Sequence, residues 1–424
     1  MERINRFLKK NIKLILLIFL FSQPVIDIIS SLQISYKVTN YSVGSIIRLL
    51  FLIFSVYYTI FISKEKNIKK IILTILYLGL FGFIILVDKG TPAFSYEMKN
   101  AINTYYIIFE LLFLNSVIKE EDIKINIKTI LYIFLTYIIL VMIPNLTHTG
   151  FKSYYHSKVG SVGWFLSANA VGNILCILMP FIVYYIIKSK SNIFIKLFIT
   201  ISTLYVSFSI GTKVPILGIA IVVLYHGVYY LIKWIKEKKY KFIGIGLSAL
   251  IICLVSGIIV VPKTSFYKNI EIHKKFLGIN HYTEVFTSYH LVDHFIFSQR
   301  LTFLNDSFKN FKKIPIQEKI AGMGYIENYG KDNISLKTVE IDYFDILLRH
   351  GLIGSIIYFS IFISFIIKAF KDRNKDLIAK EMKLSIILTM LLAVFSGHII
   401  NAPTASIFVA LIITLLVNKK YLTE

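Results

Sequence analysis

The chain has 424 residues, of which 56% are hydrophobic and only 17% charged, and its formal net charge is +23. Soluble domains carry about a quarter charged residues, whereas here long apolar blocks alternate with short basic clusters. The pattern excludes a soluble enzyme, a disordered chain and a disulfide scaffold. It also makes the positive charge a matter of membrane topology, with no nucleic-acid partner expected.

A spanning helix needs about 20 mostly apolar residues. Twelve stretches qualify: 13–31, 44–62, 70–87, 101–118, 128–144, 167–187, 193–210, 214–232, 242–261, 346–367, 384–400 and 404–418. The expected fold class is therefore all-α, a polytopic helical membrane protein of about twelve transmembrane helices. Residues 1–261 would hold the first nine, 262–341 a large extracytoplasmic loop with short helices, and 342–424 the last three. Arg3, Arg6, Lys9, Lys10 and Lys13 lead into the first span. Alternate gaps repeat such clusters, as in Lys64, Lys66, Lys69 and Lys70 or Lys233, Lys236, Lys238, Lys239 and Lys241. The intervening short gaps hold scattered lysines such as Lys37, Lys89 and Lys213. Clustered positive charge stays on the cytoplasmic side, which puts both termini inside and the long loop outside. The first span is read as a retained helix, since Phe21-Ser22-Gln23-Pro24 is a poor cleavage site. At Gly211-Thr212-Lys213-Val214-Pro215, a tight turn and a broken helix remain equally open. Cys176 and Cys253 sit in apolar spans and are read as packing residues.

Ionisable groups within spans are costly, so each one is a functional candidate. Asp27 and Arg48 lie near the outer ends of adjacent antiparallel spans and are expected to form a structural ion pair. Glu110, in the middle of the fourth span, is expected to be neutral or paired, with a structural role preferred over a proton relay. Asn169 and His398, near outer helix ends, are candidates to line a cavity. His290 and His294 flank Asp293 at a spacing that could put two imidazoles on one helix face, but a solvated loop helix is the preferred reading. No glycine-rich phosphate loop, CxxC pair or HExxH helix is present, so neither cofactor nor metal is assigned.

The loop ahead of the tenth predicted span carries the richest pattern. Arg300 opens an amphipathic helix with Leu301, Leu304, Phe308 and Phe311 at helical spacing. Ala321-Gly322-Met323-Gly324-Tyr325 follows as a glycine-punctuated turn. Then come Glu340, Asp342 and Asp345, with Arg349-His350-Gly351-Leu352-Ile353-Gly354 leading into the membrane. Asp342 and Asp345 suit a helix start, and Asp345 is placed to pair with Arg349 one turn on. Glu340 is left without such an explanation.

This order resembles the O-antigen polymerase / O-antigen ligase family of integral membrane glycosyltransferases. The corresponding residues are Arg300, Gly322 with Gly324, and Gly351 with Gly354. Gly163-Trp164-Phe165-Leu166-Ser167-Ala168-Asn169, at the start of the sixth span, and Gly211-Thr212-Lys213 also match family habits. Two positions depart: Glu340 stands where the family usually has histidine, and Lys213 stands where it has arginine. The resemblance implies transfer of a glycan from a polyprenyl diphosphate carrier to a sugar hydroxyl of a carrier-linked repeat unit, on the outer face of the bacterial cytoplasmic membrane. It implies no nucleotide, with membrane lipids, and a flippase and chain-length regulator, as partners. Such chemistry needs cations for the departing diphosphate and a base for the acceptor's proton. Arg300 and Lys213 are the candidate cations and Glu340 the candidate base, with Asp342 as the alternative. Trp164, Asn169, Tyr325 and His398 are candidates to line the cavity. Tyr282, Phe286 and Tyr289 are expected mainly to pack the loop, with sugar stacking as the second reading. The departures favour a polymerase over a ligase. The competing class is a lipid-linked oligosaccharide flippase or exporter, though matched halves with interrupted helices are not evident; a non-catalytic scaffold is a third reading.

Overall fold

The structure, a computed structural model, describes residues 2–37, 42–64, 67–154, 158–326, 338–371 and 376–422. It is almost wholly helical. The helices in chain order are α1 (Glu2–Ser35), α2 (Val43–Tyr57), α3 (Ile68–Lys89), α4 (Thr91–Glu120), α5 (Ile127–Leu146), α6 (Ala168–Lys188), α7 (Ile193–Ser209) and α8 (Lys213–Lys236). They continue with α9 (Tyr240–Val260), α10 (Ser265–Phe276), α11 (Tyr289–Val292), α12 (Arg300–Lys313), α13 (Ile316–Ala321), α14 (Asp342–Lys371), α15 (Leu377–Phe395) and α16 (Pro403–Asn418). Among the described residues, eight are long and apolar enough to cross a membrane: α1, α2 with its terminal π turn, α3, α4, α5, α6, α8 and α14. The shorter apolar helices α7 and α16, with α9 and α15, occupy the other four expected spans.

Several boundaries differ from the expectation. Helix α4 begins at Thr91, ten residues ahead of the expected 101, with proline in its first turn. Polar residues 97–100 had made that stretch read as a loop; instead Glu97 is buried in a polar cluster described below. Helix α15 starts at Leu377 and stops at Phe395, ahead of the expected 384–400. The chain then turns through residues 396–402, because Gly397 and His398 both take positive φ.

The chain divides into two compact units. The first combines Met1–Ile133 with Phe286–Glu424, and the second is Phe134–Val285. Within the first, α4 is the hub: most of its apolar length is buried, against α2, α3, α14 and α16. A short parallel pairing of Ile125–Asn126 (β1) with Tyr421–Leu422 (β2) fastens the C-terminal end to the end of α4. Outward faces keep apolar side chains exposed, such as Ile53, Leu76 and Phe83, as expected where lipid replaces water.

In the second unit α6 packs on α8, where a Cβ at Gly218 would come within 2.5 Å of the Cys176 sulfur. Gly211-Thr212-Lys213 is a tight turn between two separate helices: α7 ends at Ser209, Gly211 has φ +76°, and α8 starts at Lys213. Asn269 of α10 locks that turn, donating to the Val159 carbonyl at 2.6 Å and the Gly211 carbonyl at 2.9 Å. Cys176 is buried as a free thiol, and the side chain of Cys253 lies outside the described set.

Candidate active site

In the first unit, the glycine-punctuated turn and the kink of α14 are made for each other. The Met323 amide donates to the Leu348 carbonyl at 3.1 Å, and the Gly324 amide to the Arg349 carbonyl at 3.0 Å. Those carbonyls are available because Gly351 leaves the helical conformation (φ 62°, ψ −166°) and breaks the ladder of α14. A Cβ on Gly322 would lie 2.2 Å from the Arg349 carbonyl oxygen, and one on Gly351 would lie 2.4 Å from the Gly322 nitrogen. Positive φ and backbone contact together leave no room for any other residue at either position. Met323, Val339, Ile341 and Leu348 form the apolar core beneath, onto which Leu304 and Phe311 of α12 pack; Phe308 meets the Phe344 ring edge to face.

The next residues satisfy the polar groups this turn exposes. Both Glu97 oxygens accept from the Tyr325 amide, and Oε1 also accepts from the Ile326 amide at 2.9 Å. Lys89 donates to Glu97 at 3.1 Å and to the Ile326 carbonyl at 2.9 Å. His350 is wholly buried, with Nδ1 3.0 Å from the Tyr77 hydroxyl and Nε2 2.9 Å from the Tyr325 hydroxyl. Tyr77 also donates to the His350 carbonyl at 3.1 Å and Tyr325 to the Asn100 carbonyl at 3.3 Å, so the two phenols enclose the ring from both nitrogens. The Tyr325 hydroxyl also lies 2.7 Å from Thr104 Oγ1, and burial pushes its phenol pKa up, holding it protonated.

Arg300 and Glu340 meet at 2.7 Å. The guanidinium is buried and is also held by the Phe395 carbonyl at 2.7 Å and the Ser396 carbonyl at 3.2 Å. Arg300 begins α12 directly after Ser298 and Gln299, both left-handed. Asp293 makes that abrupt start possible by accepting from the Leu301 and Thr302 amides, each at 2.9 Å. Glu340 is itself left-handed, with φ +61°. Its amide donates to Asp345 Oδ2 at 2.9 Å, while Asp345 Oδ1 accepts from Val339 at 2.9 Å. Gly397 allows the Glu340 carbonyl to approach: a Cβ there would sit 2.4 Å from that oxygen. The Glu340 carboxylate keeps 38% of its side chain exposed while its partner keeps 9%. A buried, backbone-held cation thus faces an accessible carboxylate.

Asp342, two residues on, is fully buried. It accepts from the amides of His398, Ile399 and Ile400 at 2.6, 2.8 and 2.9 Å, closing the α15–α16 turn onto the head of α14. Tyr325 and His398 line one polar cavity of about 250 Å³, together with Asn103, Asp345, Arg349 and Asn401. Trp164, Asn169 and Lys213 belong to the second unit. There Trp164 donates to Thr149 at 3.2 Å, Asn169 lies in the first turn of α6 and Lys213 is exposed at the first position of α8. Asp27 and Arg48 approach to 2.5 Å, and Gln23 accepts from Arg48 Nε at 3.0 Å. Glu110 is buried and accepts from the Ser55 hydroxyl at 3.2 Å. The His290 and His294 rings lie 4.2 Å apart, burial and the His290 charge lower the His294 pKa, and Asp293 is occupied as a helix cap. Among the described residues no cluster of three or more metal-ligating side chains occurs. Tyr282, Phe286 and Tyr289 are exposed rather than packed in the loop, which corrects the expectation that they fill its core.

Sequence reasoning assigned no role to His350, Glu97 or Lys89. Glu97 read as a loop residue because the start of α4 was placed too late, Lys89 because the third span was ended at 87 while α3 runs to Lys89, and His350 stood in plain view beside Gly351 without its tyrosine partners.

A family model described as "O-antigen ligase like membrane protein" matches residues 9–285 and 286–421. The match spans nearly the whole chain, which therefore belongs to that family of multi-pass membrane proteins. Its break falls at the same Val285/Phe286 boundary that divides the two units. Membership gives a role in surface-polysaccharide assembly, as a membrane glycosyltransferase-type enzyme acting on lipid-linked oligosaccharide. Neither a curated relative nor a solved structure matches the chain significantly.

Proposed function

We propose that the chain is a polysaccharide polymerase, transferring a glycan from a polyprenyl diphosphate carrier to a sugar hydroxyl of a carrier-linked repeat unit on the outer face of the bacterial cytoplasmic membrane. The single observation that carries this reading is the Arg300–Glu340 pair, a buried guanidinium against a solvent-reachable carboxylate. The acceptor hydroxyl forms the new glycosidic bond as the bond from the sugar to the carrier phosphate breaks. Its proton passes to Glu340 and the lipid diphosphate departs with its negative charge. Protonation of Glu340 removes the anion facing Arg300, so the charge of the fixed guanidinium is left to stabilise the diphosphate as negative charge develops there. The two halves of the reaction are thereby coupled through one ion pair.

In this reading Asp342 is a structural anchor, because three amides occupy its carboxylate. A flippase and a chain-length regulator are the proposed protein partners. The test is performed in cells making the native polymer: Arg300→Ala at normal membrane abundance should leave single lipid-linked repeat units on the outer face. Units trapped on the inner face would indicate a flippase instead, and normal polymer would remove Arg300 from the site.

A further inference from the structure

The cavity of about 250 Å³ in the first unit lies beside the proposed catalytic pair, yet neither Arg300 nor Glu340 lines it. We propose that this cavity is the subsite for one uncharged sugar ring of the acceptor, a reading that rests on the glycan transfer proposed above.

Four observations support it. First, Asn401 lines the cavity, and its Oδ1 atom has no hydrogen-bond partner within the protein. Such an acceptor costs about 1–3 kcal/mol unless a donor reaches it, and a sugar hydroxyl is a donor of suitable size. Second, Tyr325 lines the cavity in a fixed position, because Thr104 and the wholly buried His350 both hold its hydroxyl. Third, one buried cation, Arg349, and one buried anion, Asp345, line the space together. Opposite charges of equal number give no net attraction for an anionic ring, while both reward hydroxyl groups that donate and accept. Fourth, the volume falls below the range of about 300–1,000 Å³ typical of sites for drug-sized ligands, so it suits one ring and not an oligosaccharide.

Asp345 also links the cavity to the chemistry. The carboxylate that lines the cavity holds the Glu340 amide at 2.9 Å, so a ring seated there lies one residue's backbone away from the proposed base. The cavity would thereby set which acceptor is used, while Arg300 and Glu340 carry out the transfer.

The experiment is saturation-transfer NMR on the purified full-length protein in detergent, with methyl glucoside, methyl N-acetylglucosaminide and methyl glucuronide as probes. The neutral glycosides should show transfer, the glucuronide markedly less. Asn401→Ala and Asn103→Ala, both checked for an unchanged melting temperature, should each weaken the neutral signal about fivefold, the equivalent of one lost hydrogen bond. Equal transfer to the glucuronide, or neutral signals unchanged in both variants, would overturn the proposal. Polymer length in cells separates the two readings. If Arg300→Ala abolishes polymer while both asparagine variants bind glycosides and polymerise normally, the subsite is refuted and the transfer function stands; if Arg300→Ala polymerises normally, both fall.

Discussion

Two arginine–carboxylate pairs lie in the same compact unit and are built to opposite ends. Asp27 and Arg48 join α1 to α2 from regular helical positions; the side chains keep 14% and 10% of their surface, and Gln23 takes the remaining Nε donor. Arg300 and Glu340 join residues whose neighbourhoods are strained. Glu340 itself is left-handed, and Arg300 follows two left-handed residues. Its carboxylate partner keeps 38% of its surface. Left-handed non-glycine residues each cost on the order of 1–3 kcal/mol and persist only where surrounding contacts enforce them. Here Asp293, Asp345 and Gly397 do the enforcing. The first pair has the geometry of a clamp that strain-free helices can carry, and the second, proposed above as the reactive pair, is held by the fold at a cost.

The sharpest way to break this contrast is to remove one member of each pair. Arg300→Ala should lower polymer formation by a factor of about 10² to 10³, the usual loss for one stabiliser of developing charge, and Arg300→Lys should not restore it, because a single ammonium cannot reach both carbonyls and the carboxylate. Polymer ladders on gels, normalised to membrane abundance, read the effect. Glu340→Gln, which keeps shape but loses basicity, should cost about 10² in the same assay, and Asp345→Asn far less, since an amide oxygen still accepts from one of the two backbone donors.

Substituting alanine at Gly322 or Gly351 should act on folding rather than chemistry. Backbone approaches of 2.2 and 2.4 Å leave no relief through a side-chain shift, so a loss of about 2–4 kcal/mol is expected, seen as lower abundance and melting temperature. At the clamp, Arg48→Met alone strands a buried carboxylate and should destabilise by about 3–5 kcal/mol. The double change Asp27→Leu with Arg48→Met should recover most of that and leave polymer length intact; loss of polymer with normal insertion would give the clamp a role in the reaction. The smallest effect expected is none: chelator should leave long polymer unchanged, because in the proposed reaction the Arg300 guanidinium serves the diphosphate.

Much of this was legible in the sequence, for identifiable reasons. Apolar blocks of spanning length and the amphipathic spacing of Leu304, Phe308 and Phe311 are local patterns, and all three side chains do pack against the head of α14 or the core beside it. Gly322, Gly324, Gly351 and Gly354 could be singled out as a motif. Their reasons could not, since only the fold brings the backbones at 322 and 351 together, the Glu97 carboxylate against Gly324 and the Tyr77 ring against Gly354. Likewise three carboxylates within six residues look interchangeable on paper. Their partners separate them: Asp342 bonds residues 398–400, Asp345 bonds residues 339 and 340, and Glu340 faces Arg300.

What the sequence determined by itself is the solvent and the element type, because hydrophobic length and helical period are properties of neighbouring residues. It also supplied the arginine and the carboxylate as candidates. Tertiary structure alone decided which carboxylate is left accessible, which histidine is sealed between two tyrosines, and where the polar cavity lies. Those outcomes depend on hydrogen-bond partners 40 to more than 200 residues away in the chain, and no local pattern encodes the identity of a distant partner.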